Sequence, residues 1–277
     1  MVILKSRDEI ATMRRAGRVV ARALERVAAA VRPGVTLREL DELGARTITR
    51  EGATASFLGY HPRFAPTPFP ASLCLSVNEV IVHGIPDRRR LRDGDVLSID
   101  CGAVVGGYHA DAAVTVPVGE VDPATRRLLE VTERALWAGI ELARVGNRLS
   151  DISHAVGQVA HAAGYGILAD HGGHGVGQLL HEDPSVDNDG RPGRGPRLRD
   201  GLVLAIEPMF VDGDPAYRHR PDGWAVATRD GSRAAPLLRL DRAAEATAAL
   251  EAIAADEPWR ERTVELLVTA SPRRPPT

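Results

Sequence analysis

The chain has 277 residues, 44% hydrophobic and 26% charged, with a formal net charge of -2 and a pI near 6.5, which fits a soluble globular protein with a core of its own and gives no electrostatic footprint for nucleic acid or an anionic membrane. Cys74 and Cys101 are its two cysteines, so a disulfide framework is excluded and a reducing compartment is expected. No apolar run reaches the roughly 18 residues of a membrane span, and the opening MVILKSRDEI is not a signal peptide, so a cytoplasmic protein is the expectation.

Residues 8–31 carry apolar side chains at helical spacing and predict a first helix. Residues 33–53 predict a second, ending at the C-cap glycine Gly52. LRDGDVLSID, residues 91–100, reads as an Arg-Asp-Gly turn and a short apolar strand closing in Asp100. The glycines of CGAVVGGYHAD then predict a hairpin. A hairpin centre between Val105 and Gly106 sets Asp100 directly opposite Asp111, with Cβ atoms about 5 Å apart. Residues 123–144 predict a third helix with Pro123 in its first turn, and residues 145–165 a fourth that ends at Gly164. LRDGLVLAIE, residues 198–207, repeats the turn and strand and closes in Glu207. From Pro236 the composition changes to an Ala-rich helix near 241–255, an apolar stretch near 259–269 and an Arg/Pro tail.

Several of these elements are copies of one another. Gly34, Leu37, Leu40 and Gly52 match Gly146, Leu149, Ile152 and Gly164 at a constant offset of 112 positions (34 to 146). The expected architecture is therefore α+β: two pseudo-symmetric α/β halves, about 1–120 and 121–235, sharing an antiparallel-type sheet covered by helices on one side. The cleft between the halves is the expected site.

Two facing carboxylates repel and raise one pKa unless a cation lies between them. Hard oxygen ligands suit one divalent metal, or two about 3.5–4 Å apart; the bland alternative is a pair of solvated turn aspartates. HGGHGVGQLLHEDP, residues 171–184, holds three histidines among four glycines. His174 is a candidate nitrogen ligand, His181 a candidate donor to a substrate carbonyl, and His171 a bystander. NEVIVHGIP adds His83. Glu207, before a proline at a strand end, could bridge metals, take a proton from water, or pair with an arginine. Phosphate loops, dinucleotide fingerprints, H-E-x-x-H and G-x-S-x-G are absent. The residues read best as a metal hydrolase.

Taken together, NEVIVHGIP, LSIDCGAVVGGYHAD, GGHGVGQLLHEDPSV, LAIEPMF and DGWAVATRDGS resemble the type I methionine aminopeptidases, from about residue 3 to about residue 235. The resemblance implies the pita-bread fold, removal of the initiator methionine from nascent polypeptides, and two divalent ions (Co, Mn, Fe, Zn or Ni). It implies Asp100, Asp111, His174 and Glu207 as metal ligands, and His83, His181 and Glu207 as catalytic groups. His83 and His181 flank the reacting peptide, while Phe57, Tyr60, Cys74, Leu180 and Trp224 line a methionine pocket. A monomer working on nascent chains, with the ribosome as a further partner, is the matching expectation.

The chain departs from that family after Ala235. A fifth ligand, the glutamate of a Glu-His-Thr strand, is missing, and Glu245 is the nearest replacement. The expectation is a 1–235 metallopeptidase domain followed by a divergent 236–277 segment. The last central strand would be lost, a sheet edge exposed, and one metal held more weakly. The second reading is a catalytically impaired relative that binds peptide N-termini or a protein partner. A third is a proline-specific aminopeptidase or creatinase-type hydrolase.

Overall fold

The first three helices each start where a side chain satisfies a backbone amide of the first turn. In the computed structural model, which describes residues 2–237 and 239–241, helix α1 (Arg7–Ala30) opens on Ser6, whose hydroxyl accepts from the Glu9 amide while the Glu9 carboxylate accepts from the Ser6 amide. Helix α2 (Leu37–Arg50) repeats this reciprocal cap with Thr36 and Glu39. Strands β1 (Thr54–Ala55), β2 (Leu73–Val77), β3 (Val80–Val82), β4 (Val96–Val105) and β5 (Tyr108–Pro117) complete the first half. Helix α3 (Pro123–Leu142) is capped by Asp122 with Pro123 in its first turn, and α4 (Leu149–Ala163) stops at Gly164, in the left-handed conformation. Then come β6 (Gly166–Ile167), β7 (Gly172–Gly175), β8 (Glu182–Asp187), β9 (Leu204–Ile206), β10 (Met209–Val211), β11 (Tyr217–His219), β12 (Val226–Thr228), β13 (Ala234–Pro236) and β14 (Arg239–Asp241).

The sequence repeat is a repeat of backbone contacts. Thr36 bridges Arg90 in the first half, and Arg148 bridges Arg197 in the second. The Gly34 amide donates to the Leu91 carbonyl at 2.8 Å, and the Gly146 amide to the Leu198 carbonyl at 3.4 Å. The turn glycines Gly94 and Gly201 have φ of 84° and 85°, a conformation that costs a side-chain-bearing residue about 1–2 kcal/mol. Each half has its own core. Met13, Leu24, Leu40, Leu73, Leu97 and Ile99 pack α1 and α2 on the β2–β4–β5 layer. Leu128, Leu136, Ile140, Ile152, Ile206 and Phe210 pack α3 and α4 on β9 and β10. Val176, Val203 and Ala205 of the second half lie in the first core and join the two.

Among the described residues every ladder is antiparallel. β4 pairs with β5 along one edge and with β2 and β1 along the other; β7 lies between β8 and β9, and β9 also pairs with β14. β10 pairs with β6 and β13, and β12 with β11 and β3. β13 and β14 pack beside β5, which brings the hydrogen-bonded groups together at the molecule's centre.

Two expectations are corrected. The β4–β5 hairpin turns on Gly106 and Gly107, both with positive φ, so Val105 faces Tyr108 and Asp100 faces Ala113 rather than Asp111. Asp111 faces Gly102 instead. This two-residue shift preserves the face, so Asp100 and Asp111 stay diagonal neighbours on one side of the sheet. The final strand is also present: Arg239, Leu240 and Asp241 pair with Ile206, Ala205 and Leu204. Backbone complementarity suffices for that ladder without the expected Glu-His-Thr. Glu245 and the predicted 241–255 helix lie beyond the described residues.

Candidate metal centre and substrate pocket

The first pair of donors comes from the hairpin. Asp100 projects from β4, where its other neighbour is Cys74 of β2, and Asp111 projects from β5. Their carboxyls hydrogen-bond to each other. Burial, reinforced by the Glu207 charge, raises Asp100 to about pH 7. Burial and the neighbouring Asp100 push Asp111 well above the usual carboxylate range.

The second pair comes from β7 and the end of β9. Gly173 lets β7 lie close to β9, since a Cβ there would sit 2.0 Å from the Ala205 carbonyl oxygen. His174, opposite Ala205, is thereby set beside Glu207. Its Nδ1–H donates to the Gly175 carbonyl at 2.8 Å, which directs Nε2 toward Glu207 Oε1, 3.1 Å away. Burial opposes the charged imidazolium, but the Glu207 charge and the Gly175 carbonyl outweigh it and raise the His174 pKa. The Glu207 backbone is held by Asn188, whose amide donates to its carbonyl at 2.7 Å.

Asp100 Oδ1 and Asp111 Oδ1 are buried with no hydrogen-bond donor. Two acidic oxygens without donors are a large desolvation cost, which a divalent cation offsets. The donors meet pairwise; among the described residues, no three His, Cys, Asp or Glu side chains close into a ready-made cage. Oxygen-rich donors with one imidazole fit Mn, Co, Fe, Zn or Ni rather than a thiolate-selective ion.

Two further histidines border these donors. His181 Nδ1 meets the Tyr60 hydroxyl at 2.8 Å, and its ring lies 4.1 Å from that of His174. Burial, with nearby histidines, lowers its pKa to about 3. His83 adopts φ 59°, outside the usual range for a residue with a side chain. Its Nδ1 is sealed without a partner, and burial, then His171 and His219, lower its pKa to about 4. Both rings are therefore neutral near pH 7. One cavity is lined by His83, Asp100 and Glu207 together with Ser76, Ser98 and Leu237.

An apolar cluster adjoins His83 and His181. Phe57, Cys74, Leu180 and Trp224 are buried in it, and Tyr60 packs at its edge, so the structure brings all five predicted pocket residues together. Sequence reading missed Phe69, Phe64, Ala65, Ala71 and Ile85. Phe69 is 5.0 Å edge-on to Trp224, and Phe64 stacks 6.4 Å from the His83 ring. The signal was the Phe/Pro-rich HPRFAPTPFP, residues 61–70. Its shape becomes readable only once the Trp224 indole N–H donates to the Thr67 carbonyl. His171 stands apart from the four donors, 4.7 Å from the Tyr217 ring.

Comparison with known proteins finds relatives that span most of this chain. The profile of metallopeptidase family M24 matches residues 11–233. A methionine aminopeptidase of Clostridium perfringens is 46% identical over 235 residues, covering 85% of this chain and 92% of that one. Methionine aminopeptidase 1 of Bacillus subtilis is 45% identical, with the same coverage. The crystal structure of methionine aminopeptidase from Rickettsia prowazekii superposes with a TM-score of 0.82 at 35% identity, covering 86% of this chain and 94% of that chain.

Proposed function

Because this chain belongs to metallopeptidase family M24, and so to a family of metal-dependent hydrolases with the pita-bread fold, we propose that it removes the N-terminal methionine from polypeptides. The observation that carries the reading is the set of buried Asp111, His174 and Glu207 with half-buried Asp100, beside an apolar, aromatic pocket. In this reading those four residues hold two divalent ions. Divalent ions held there would supply Lewis acidity for the scissile carbonyl and for an attacking water.

The chain's own groups carry the remaining steps. Phe57, Phe69, Cys74, Leu180 and Trp224 enclose the methionine side chain, whose thioether suits aromatic walls. In this reading the Tyr60 hydroxyl, 2.8 Å from His181 Nδ1, donates to it, so that His181 carries its proton on Nε2 and can donate to the developing oxyanion. His83, neutral and facing the same cavity, donates from the other side. Glu207 accepts a proton from water as its oxygen bonds to the carbonyl carbon. That proton passes to the departing amine when the C–N bond breaks, leaving free methionine and a shortened peptide.

The protein acts as a monomer in the cytoplasm on nascent chains, with the ribosome as their source. Among the described residues no helix is long and apolar enough to cross a membrane, which is compatible with that placement. Methionine release from Met-Ala-Ser with added manganese or cobalt is the test. The reading holds if the wild-type chain turns over and Asp111→Ala does not. It falls if folded wild-type protein releases no methionine with any of the five metals.

A further inference from the structure

Of the 35 basic residues in this chain, Lys5 is the single lysine. It is also buried. Its ammonium lies 2.6 Å from the Glu182 carboxylate, and the two side chains are 2% and 3% exposed. Lys5 Nζ donates to the Ile3 carbonyl at 3.1 Å, and the Lys5 amide donates to the Gly201 carbonyl at 2.7 Å. The second Glu182 oxygen accepts from the Leu179 amide at 3.2 Å. Backbone closes the remaining space: a Cβ on Gly177 would stand 2.4 Å from Glu182 Oε1 and 2.5 Å from Lys5 Cε. A compact ammonium fits such a slot, and a broad planar guanidinium does not.

The location gives the pair a role. Glu182 is the first residue of β8 and the immediate neighbour of His181. The connection from β7 to β8 is otherwise tied by three backbone bonds, Val176 N–H to Val203, Gly177 N–H to Leu179 and His109 N–H to Gly177. A desolvated ion pair adds little net stability over an apolar pair of equal size, but it admits one geometry. We propose that Lys5 and Glu182 form a positioning clamp for His181. The clamp pins the backbone at residue 182, Tyr60 holds the ring at Nδ1, and Nε2 is left at one place relative to His174. What His181 does there rests on the aminopeptidase reading; that it is held there does not.

The test compares wild type with Lys5→Met, Glu182→Gln and the double variant Lys5→Met/Glu182→Leu. Methionine release from Met-Ala-Ser gives kcat and KM, and thermal melting gives stability. Ring 15N NMR of the zinc-loaded full chain, with the His181 signal assigned from His181→Asn, reports the imidazole directly. We expect Lys5→Met to lower kcat about 30-fold with KM changed less than about 3-fold, as for a misplaced catalytic group. Glu182→Gln, whose amide nitrogen cannot accept, keeps one of the two hydrogen bonds and falls between wild type and Lys5→Met in kcat. The double variant buries no lone charge and melts near wild type, yet stays low in kcat, with a shifted or broadened His181 signal. A double variant with wild-type kcat and an unchanged His181 signal overturns the clamp. If wild type releases no methionine, the aminopeptidase reading fails and the His181 signal alone decides the clamp.

Discussion

Asp100 and Glu207 end the same turn-and-strand unit in the two halves, but the chain continues differently after each. After Asp100, β4 runs on to Val105, turns on two glycines and returns as a ten-residue partner. After Glu207 comes Pro208, which lacks the amide a ladder needs, and β9 ends at Ile206. The first half therefore delivers both of its carboxylates from one hairpin. The second delivers one carboxylate, and its companion His174 comes from the neighbouring β7. Pseudo-symmetry has duplicated the scaffold and left each half free to choose its donors.

The comparison can be broken most severely at Asp111. Asp111→Ala should reduce methionine release at least about 1,000-fold, as expected when a group supporting metal catalysis is lost, and calorimetric metal titration should show weakened binding. Retained turnover would mean that the hairpin supplies one essential carboxylate, as the second half does. Next in size is the partner of β9. A chain ended after Leu237 lacks β14 and should lose about tenfold in activity as β9, the strand that leads into Glu207, loses its outer ladder. A chain ended after Asp241 should stay within about twofold of the full chain, because β14 and its ladder are kept. Equal activity in the two truncations would show that β9 needs no outer strand.

The equivalent turn glycines sharpen the comparison further. At Gly94 the nearest atom to an added Cβ is 3.6 Å away, whereas at Gly201 it is the Lys5 carbonyl oxygen at 2.6 Å. In urea titrations Gly94→Ala should cost about 1 kcal/mol and Gly201→Ala about 3 kcal/mol, the conformation being equal and the clash not. The smallest expected effect is on pH dependence. His83 is lowered from 6.5 to about 4, so its contribution is present above pH 6.5 and lost as pH falls toward 4. Asp100 is raised from 3.8 to about 7, so without metal its contribution is present below pH 3.8 and lost as pH rises through 7. Melting curves of metal-free protein should lose a few degrees toward each end. His83→Asn should flatten the acid limb and Asp100→Asn the neutral limb.

Much of this was legible locally. The four helices follow from apolar spacing and from caps written a few residues apart, such as Ser6 with Glu9 and Thr36 with Glu39. The two-half architecture followed from the 112-residue offset, and the site histidines stood out in a glycine-rich run. Hairpin register was not legible, because Val-Val-Gly-Gly accepts a turn at either of two centres. Only side-chain and helix packing on the strand faces selects one. The C-terminal strand was missed for a related reason: PLLRLD carries no motif, but backbone ladders require only extended chain next to an open edge.

Residue order by itself determined which groups could do chemistry: carboxylates at strand ends, imidazoles among glycines and one lysine near the start. Those are properties of local spacing and side-chain type. Tertiary structure alone decided which of them meet. Asp111 joins Asp100 through ladder register, His174 joins Glu207 through the close approach of β7 and β9, and Lys5 finds Glu182 across 177 positions of chain. Such contacts depend on how layers pack and on which space is left, and no period within the sequence encodes that.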